Sequence, residues 1–291
     1  MDFSQEDTPL AAAAAAAVYV RTGLKGSFPK PKHPRVLTVA NQKGGVGKTT
    51  SAVNLAASMA LGGLNVLVID LDPQGNASTA LAVDHQEEAV GTYDVLVDGE
   101  PITQCMSPAP GYESLWCLPA SLDLAGADIE LITSFSETER PFLLRKAIAL
   151  LLETNDFDYI FVDCPPSLGM LTINALAAVS EVLIPIQCEF YALEGVQQLL
   201  RTIEFARDRL NPELAVSTIL LTMFNSRTNL SLQVAEEVRS YFGELVLATA
   251  IPRSTYVAEA PSFGQSVLTY DPGSTGAVAY LAAAREIAAR G

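Results

Sequence analysis

The chain has 291 residues, 49% of them hydrophobic, and a net charge of −15. That size and apolar content suit one well-filled α/β domain with at most a small appendage, and the acidic total by itself argues against a nucleic-acid binder. No apolar stretch reaches the roughly 18 uncharged residues of a membrane span. Cys105, Cys117, Cys164 and Cys188 fall at no C-x-x-C spacing and accompany two histidines, His33 and His85. They read as buried free thiols of a reducing cytoplasm rather than as a disulfide framework or a zinc site.

In chain order, residues 1–34 combine an acidic start, the alanine run Ala11–Ala17 and a Gly/Pro/Lys-rich stretch, Lys25–Pro34. They are expected to be a flexible N-terminal extension or an upstream-extended reading of the start. Acids rather than bases precede the alanines, so a signal peptide is not expected. From residue 35 to 291 the pattern alternates β and α, the mark of a doubly wound, mostly parallel sheet flanked by helices, in a single domain. Strands are expected at Val36–Ala40, Asn65–Asp70, Leu115–Pro119, Tyr159–Asp163, Val182–Pro185, Val216–Thr222 and Leu245–Ala250. Helices are expected at Thr49–Leu61, Pro141–Leu152, Leu171–Ala178, Leu193–Leu210, Leu230–Phe242 and Gly276–Ala289. The runs VLVID, YIFVD and EVLIPI are apolar nearly throughout, as in a parallel sheet covered on both faces.

Residues 36–50, VLTVANQKGGVGKTT, carry the most chemistry. An apolar strand enters a glycine loop that opens into an alanine-rich helix, the arrangement of a phosphate cradle. Gly44, Gly45, Val46 and Gly47 let backbone amides curl round an anion, and the helix N-terminus adds partial positive charge. Lys48 is placed to reach β/γ-phosphates; Thr49, followed by Thr50, is placed to ligate Mg²⁺. The loop departs from G-x-x-x-x-G-K-[ST] in having Gln42 at the first glycine position and a second lysine, Lys43. Two further strands end in acids: Asp70-Leu71-Asp72-Pro73-Gln74-Gly75-Asn76, and Asp163-Cys164-Pro165-Pro166-Ser167. Ligands of such sheets sit beyond the carboxyl ends of the strands, where both motifs lie.

The string K-G-G-V-G-K-T-T resembles the deviant Walker motif of the ParA/MinD superfamily of ATPases, and the match extends over roughly residues 35–290, most closely to the ParA/Soj partition proteins. The resemblance implies a P-loop fold, ATP and Mg²⁺ as cofactors, and slow ATP hydrolysis. It also implies an ATP-sandwich homodimer in which Lys43 touches the partner's nucleotide. By the same resemblance Asp72 holds the attacking water, Asp70 shapes the Mg²⁺ surroundings and Asp163 holds Mg²⁺. Leu221–Asn225 and Ile251–Ser254 resemble the loops walling the adenine, which places Asn225, Pro252 and Ser254 near the base, and Cys188–Gly195 resembles the segment opening the dimer-side helix. The family's ATP dimer binds DNA without sequence preference, and a ParB-type activator stimulates it. Arg227 stands where the family has a DNA-contacting arginine, which would make the protein nucleoid-associated.

Other basic positions of the family are missing: Thr255-Tyr256 follow Ile-Pro-Arg, and Gln265, Gly273 and Thr275 stand where Lys or Arg are frequent. The six arginines between residues 201 and 253 (Arg201, Arg207, Arg209, Arg227, Arg239 and Arg253) share that window with six acids. Arg201 and Arg207 each lie three residues from Glu204, the spacing of an intrahelical ion pair. An alternative reading is therefore an ATP-driven positioning protein for a protein cargo, MinD-like or chemoreceptor-cluster-like, with weak or no DNA binding. Membrane attachment is not expected, because the C-terminal helix is alanine-rich with few bulky anchors and reads as packed on the sheet. A metal-cluster relative is disfavoured by the placing of Cys164 directly after Asp163, and an amidotransferase-like ligase by the lack of a substrate-binding motif.

Overall fold

Seven strands arise where the sequence is apolar and β-forming: β1 (Arg35–Val39), β2 (Val66–Asp70), β3 (Ser107–Pro108), β4 (Leu115–Leu118), β5 (Tyr159–Asp163), β6 (Glu181–Gln187) and β7 (Ala215–Thr222). They form one sheet in the order β3-β4-β2-β5-β1-β6-β7. All pairs are parallel except the short β3–β4 edge. The computed structural model describes residues 17, 18, 20, 28–86, 89–190 and 192–290, with Glu194 described for its backbone alone. Most of the expected extension, and Tyr191 of the Cys188–Gly195 segment, lie outside the described residues.

Helices cover both faces: α1 (Lys48–Leu61), α2 (Asn76–Ala80), α3 (Ile102–Cys105), α4 (Ala127–Ser134), α5 (Leu143–Thr154), α6 (Met170–Ala178), α7 (Ala192–Arg209), α8 (Asn229–Phe242), α9 (Thr255–Glu259), α10 (Val267–Tyr270) and α11 (Thr275–Ala289). Apart from the exposed β3 and the start of β7, the strands are buried on both sides, and alternate side chains enter two separate cores, as the two-residue period of a strand dictates. Val36, Ile69, Ile160, Val162, Val182 and Leu221 join a core with Leu144, Leu176, Leu199 and Val238 of α5–α8. Leu37, Val39, Val68, Phe161, Leu183 and Leu220 join the opposite core with α1 and α11. The terminal helix α11 packs chiefly on α1, with the Tyr280 and Ser51 hydroxyls 3.3 Å apart, rather than directly on the sheet.

At the amino ends of the strands, Arg35 fastens four elements. Its guanidinium donates twice to Glu181, at 2.7 Å each, and once each to the Tyr159 hydroxyl and the Ile287 carbonyl. Glu181 is correspondingly held below the usual carboxylate range. Just upstream, Phe28 is buried over Gly62 at the end of α1, so close that a Cβ there would lie 2.7 Å from the ring, and this ties residues 28–34 to the domain.

One expected strand is absent. Residues 245–250 run alongside β7, but form a single bridge, Val246 to Ile219. The backbone groups a strand would pair are taken by side chains. The Arg239 guanidinium donates to the carbonyls of Leu247 and Ala248, and the Glu286 carboxylate accepts from the amides of Ala248 and Thr249. Helix α5 also begins later than expected, after a 3₁₀ turn over Arg140–Phe142.

Candidate nucleotide site at the carboxyl edge of the sheet

The glycine loop leaves β1 and turns into α1 through two left-handed residues, Gly45 (φ 72°) and Gly47 (φ 88°), a conformation that costs a non-glycine residue. Nothing lies within 4 Å of where a Cβ would stand on Gly44 or Gly45, so the loop presents an open cradle. Its shape is set by contacts from afar. The Asn41 amide donates to the Pro185 carbonyl at 2.8 Å and its oxygen accepts from the Lys43 amide at 3.0 Å. The Thr222 hydroxyl, at the end of β7, donates to the Val46 carbonyl at 2.9 Å. Asn41 and Thr222 were not among the expected site residues; Asn41 adjoins the motif, whereas nothing local to Thr222 marks its contact.

The two lysines are disposed differently. Lys48 is buried, 8% exposed, while Lys43 is exposed at the mouth of the loop. Thr49 and Thr50 open α1, and beside them lies a cavity of about 210 Å³ walled also by Asn76, Ala80, Pro261 and Gln265. A larger cleft of about 520 Å³ lies elsewhere, between residues 95–103 and α5, and contains none of the phosphate-binding groups.

Register alone brings the acids together. On the last rung of the sheet, Asp163 of β5 stands between Val39 of β1 and Asp70 of β2. Both carboxylates are fully buried. Asp70 is occupied: its oxygens accept from the Ser78 amide and hydroxyl and from the Asp72 amide. Asp163 is not, since neither of its oxygens has a hydrogen-bond partner. Burial pushes the Asp70 carboxyl up to about 6, against its hydrogen bonds. Burial, and then the Asp70 charge, push Asp163 well above the usual range. The Thr49 hydroxyl eases that shift without reaching hydrogen-bond geometry, and Lys48 acts in the same direction. An unpartnered buried carboxylate costs free energy unless a cation meets it.

Such a donor set fits a hard divalent cation. Among the described residues no group of three or more His, Cys, Asp or Glu side chains could hold a metal. Mg²⁺ keeps several waters and takes one or two carboxylates together with phosphate oxygens, and the unpartnered Asp163 carboxyl could supply one of them.

Asp72 follows β2 in a tight turn, 7% exposed. One of its oxygens accepts from the Gln74 amide at 3.0 Å, and its carbonyl accepts from the Gly75 amide at 2.8 Å. The Leu71 amide donates to the Asp163 carbonyl, and the Thr92 hydroxyl donates to the Asp70 carbonyl, so both acidic motifs share one backbone frame.

The two loops expected at the base come together: Phe224 pairs with Pro252, its amide donates to the Ile251 carbonyl, and the Arg253 amide donates back to Phe224. Asn225 is exposed and accepts from the Arg227 amide; Ser254 precedes α9. Arg227 is exposed on the same loop. The expected pairing of Arg201 and Arg207 with Glu204 does not form: Arg207 pairs with Asp208, and no ion pair joins Arg201 to Glu204 among the described residues. Arg253 pairs with Glu189 at 2.6 Å. All four cysteines are buried and free, as expected. No helix among the described residues is long and apolar enough to cross a membrane.

Comparison with known proteins agrees with this geometry. Residues 34–216 match the model of an AAA domain family. The sporulation initiation inhibitor protein Soj of Bacillus subtilis is 47% identical over 88% of this chain and 99% of its own length. The chromosome partitioning protein ParA of Myxococcus xanthus is 48% identical over 88% of each chain. Among solved structures, cobyrinic acid a,c-diamide synthase from Mycobacterium smegmatis, with bound ADP and magnesium, is 38% identical with a TM-score of 0.72, covering 88% of this chain and 93% of that one. MinD from Pyrococcus horikoshii, complexed with Mg-ADP, is 24% identical with a TM-score of 0.71 over 88% and 96%, and shares the fold.

Proposed function

Because this chain belongs to the Soj/ParA family of chromosome-partitioning ATPases, we propose that it is an ATP-driven DNA-segregation switch. It is an ATPase, with ATP and Mg²⁺ as its cofactors. In this reading the ATP-bound form pairs with a second copy, rides on DNA without sequence preference, and hydrolyses slowly until a ParB-type partner accelerates it. The observation that carries it is the pair of lysines on one loop, Lys48 buried at the start of α1 and Lys43 exposed at the mouth. Lys48 serves the phosphates of its own subunit, and an outward Lys43 is positioned to serve those of a facing copy.

Phosphoryl transfer calls mainly for positioning and charge neutralisation. Bound Mg²⁺ would neutralise phosphate oxygens. Thr49 and Asp163 would hold it, with Asp70 fixed behind them by Ser78. Asp72 orients the attacking water, and its turn is held by the Gly75 and Gln74 amides. Asn225, Pro252 and Ser254 stand at the adenine. Basal turnover is expected on the order of the slow intrinsic rates of unassisted switch GTPases.

Positioning of a protein cargo is the second reading, and the fate of the arginines favours it. Of the six in residues 201–253, Arg207 and Arg253 are ion-paired and Arg239 is spent on carbonyls, which leaves few cations for phosphate contacts. The likeness to cobyrinic acid a,c-diamide synthase, at 38%, is lower than that to the partitioning proteins.

The deciding experiment is binding of the Asp72→Ala protein to nonspecific duplex DNA, with ATP or ADP, across a salt series. ATP-dependent binding that weakens steeply with salt supports the DNA-carried switch. A protein that dimerises with ATP and does not bind DNA even at low salt supports the protein-cargo reading.

A further inference from the structure

The turn that carries Asp72 is braced from outside by a side chain that no part of the nucleotide-binding motifs includes. Gly75 closes the turn in the left-handed region (φ 63°) and caps the short helix α2. After α2 the chain reverses sharply through Ala82, which itself has φ 52°, with the Ala82 amide donating to the Thr79 carbonyl and the Val83 amide to the Ser78 carbonyl. The reversal lays the His85 imidazole against Gly75, where a Cβ would lie 2.7 Å from the ring's Cδ2. A ring seated where a side chain would be is a close packing contact with backbone.

Hydrogen bonds join the ring to the same turn. His85 Nδ1 lies 3.1 Å from the Val83 carbonyl, which can only accept, so Nδ1 carries a proton. Nε2 lies 3.3 Å from the Thr79 hydroxyl, and that hydroxyl is 2.9 Å from the Gly75 carbonyl. In the neutral ring, Nε2 and the Gly75 carbonyl share the single hydroxyl proton of Thr79. In the charged ring, Nε2 donates to the hydroxyl, which in turn donates to the Gly75 carbonyl. Either way ring, hydroxyl and carbonyl form one continuous chain ending on the residue whose amide holds the Asp72 carbonyl at 2.8 Å.

We propose that His85, acting through Thr79 and Gly75, is a positioning residue for ATP hydrolysis that holds the Asp72 turn in its water-orienting geometry. The proposal rests on the assignment of Asp72 to the water. It requires a particular kinetic pattern, because the hydrogen-bond partners of His85 among the described residues are Thr79 and Val83, neither of them in the glycine loop or among the acids of the metal site. Nucleotide affinity stays as it is, and the chemical step slows.

The test is steady-state ATP hydrolysis by the full chain, with ATP affinity and melting temperature measured on the same samples. His85→Ala is expected to lower kcat roughly tenfold with KM and ATP affinity little changed, as misplacement of a catalytic group does. His85→Gln keeps a polar atom within reach of the Thr79 hydroxyl and is expected to recover most of the loss. Thr79→Val is expected to resemble His85→Ala, and the double variant to be no slower than either single one, the mark of two residues in one chain. The proposal is overturned if His85→Ala keeps its kcat, if kcat falls only in step with melting temperature, or if His85→Gln is no better than His85→Ala. Failure of the underlying assignment would look different: Asp72→Ala would itself retain hydrolysis.

Discussion

Asp163 and Asp70 stand in register on neighbouring parallel strands, β5 and β2, fully buried, with the hydrogen-bond capacity of one spent and that of the other untouched. The fold thus places a carboxyl group where protein alone does not satisfy it. A cation that met this carboxylate would relieve the cost.

Replacing Asp163 with Asn should therefore raise the melting temperature of the nucleotide-free protein while destroying Mg²⁺-dependent hydrolysis. The gain comes from removing the ionisable charge beside Asp70, since the Asn amide is still a buried polar group, and it should be modest, on the order of 1 kcal/mol. Thermal melts with and without Mg-ATP, beside a turnover assay, read both effects. Loss of stability in the free protein would contradict the unpartnered state of this carboxylate.

The pH dependence has a definite sign. A carboxyl raised in the folded state binds more protons than it does unfolded, so it makes the metal-free protein less stable as pH rises. For Asp70 the window runs from its ordinary value of 3.8 to about 6. Denaturant melts of metal-free protein should show stability falling across that window, and the Asp70→Asn protein should show a flatter profile.

Lys48→Ala should abolish nucleotide binding. Lys43→Ala should bind ATP yet remain monomeric in light scattering with ATP, whereas the Asp72→Ala protein dimerises. An ATP-dependent dimer of Lys43→Ala would remove this lysine from the interface.

Thr222→Val removes the hydroxyl that holds the Val46 carbonyl, from a residue 176 positions away in sequence. ATP affinity should drop by roughly five- to tenfold, about the worth of one hydrogen bond. Calorimetric titration with ATP measures it, and an unchanged affinity would show that the loop keeps its shape unaided.

Arg227→Ala should reduce DNA affinity and lessen its salt dependence by about one counterion per subunit, with basal hydrolysis unaffected. Arg239→Ala should act differently, lowering stability because its guanidinium holds the Leu247 and Ala248 carbonyls.

The sheet and most of the site were legible because their signals are local. Apolar runs announce β1, β2, β5, β6 and β7, and Gly-Lys-Thr at a strand–helix junction announces the cradle. What stayed hidden depends on residues far apart in sequence. Residues 245–250 have the composition of a strand, but Arg239 and Glu286 claim their backbone groups. Helix α4 is short and follows a 3₁₀ turn, and β3 is two residues long and contains Pro108. Helical spacing offered Glu204 to Arg207, but the rotamer it adopts reaches Asp208 instead. Thr222 lies in the Leu221–Asn225 segment, yet nothing there announced its bond to Val46, and His85 gave no signal, since a histidine in a loop is ordinary until the fold shows what it touches.

The rivet formed by Arg35 has a mechanical corollary. One guanidinium binds β6, β5 and the terminal helix to β1 at the amino edge, where Glu181 matches its charge. With β1, β5 and β6 pinned at that edge, the left-handed bends at Gly45, Gly47 and Gly75 gather at the opposite rim, where, among the described residues, the backbone is free of such a fastening. The protein is anchored like a hand at the wrist, and it works with its fingertips.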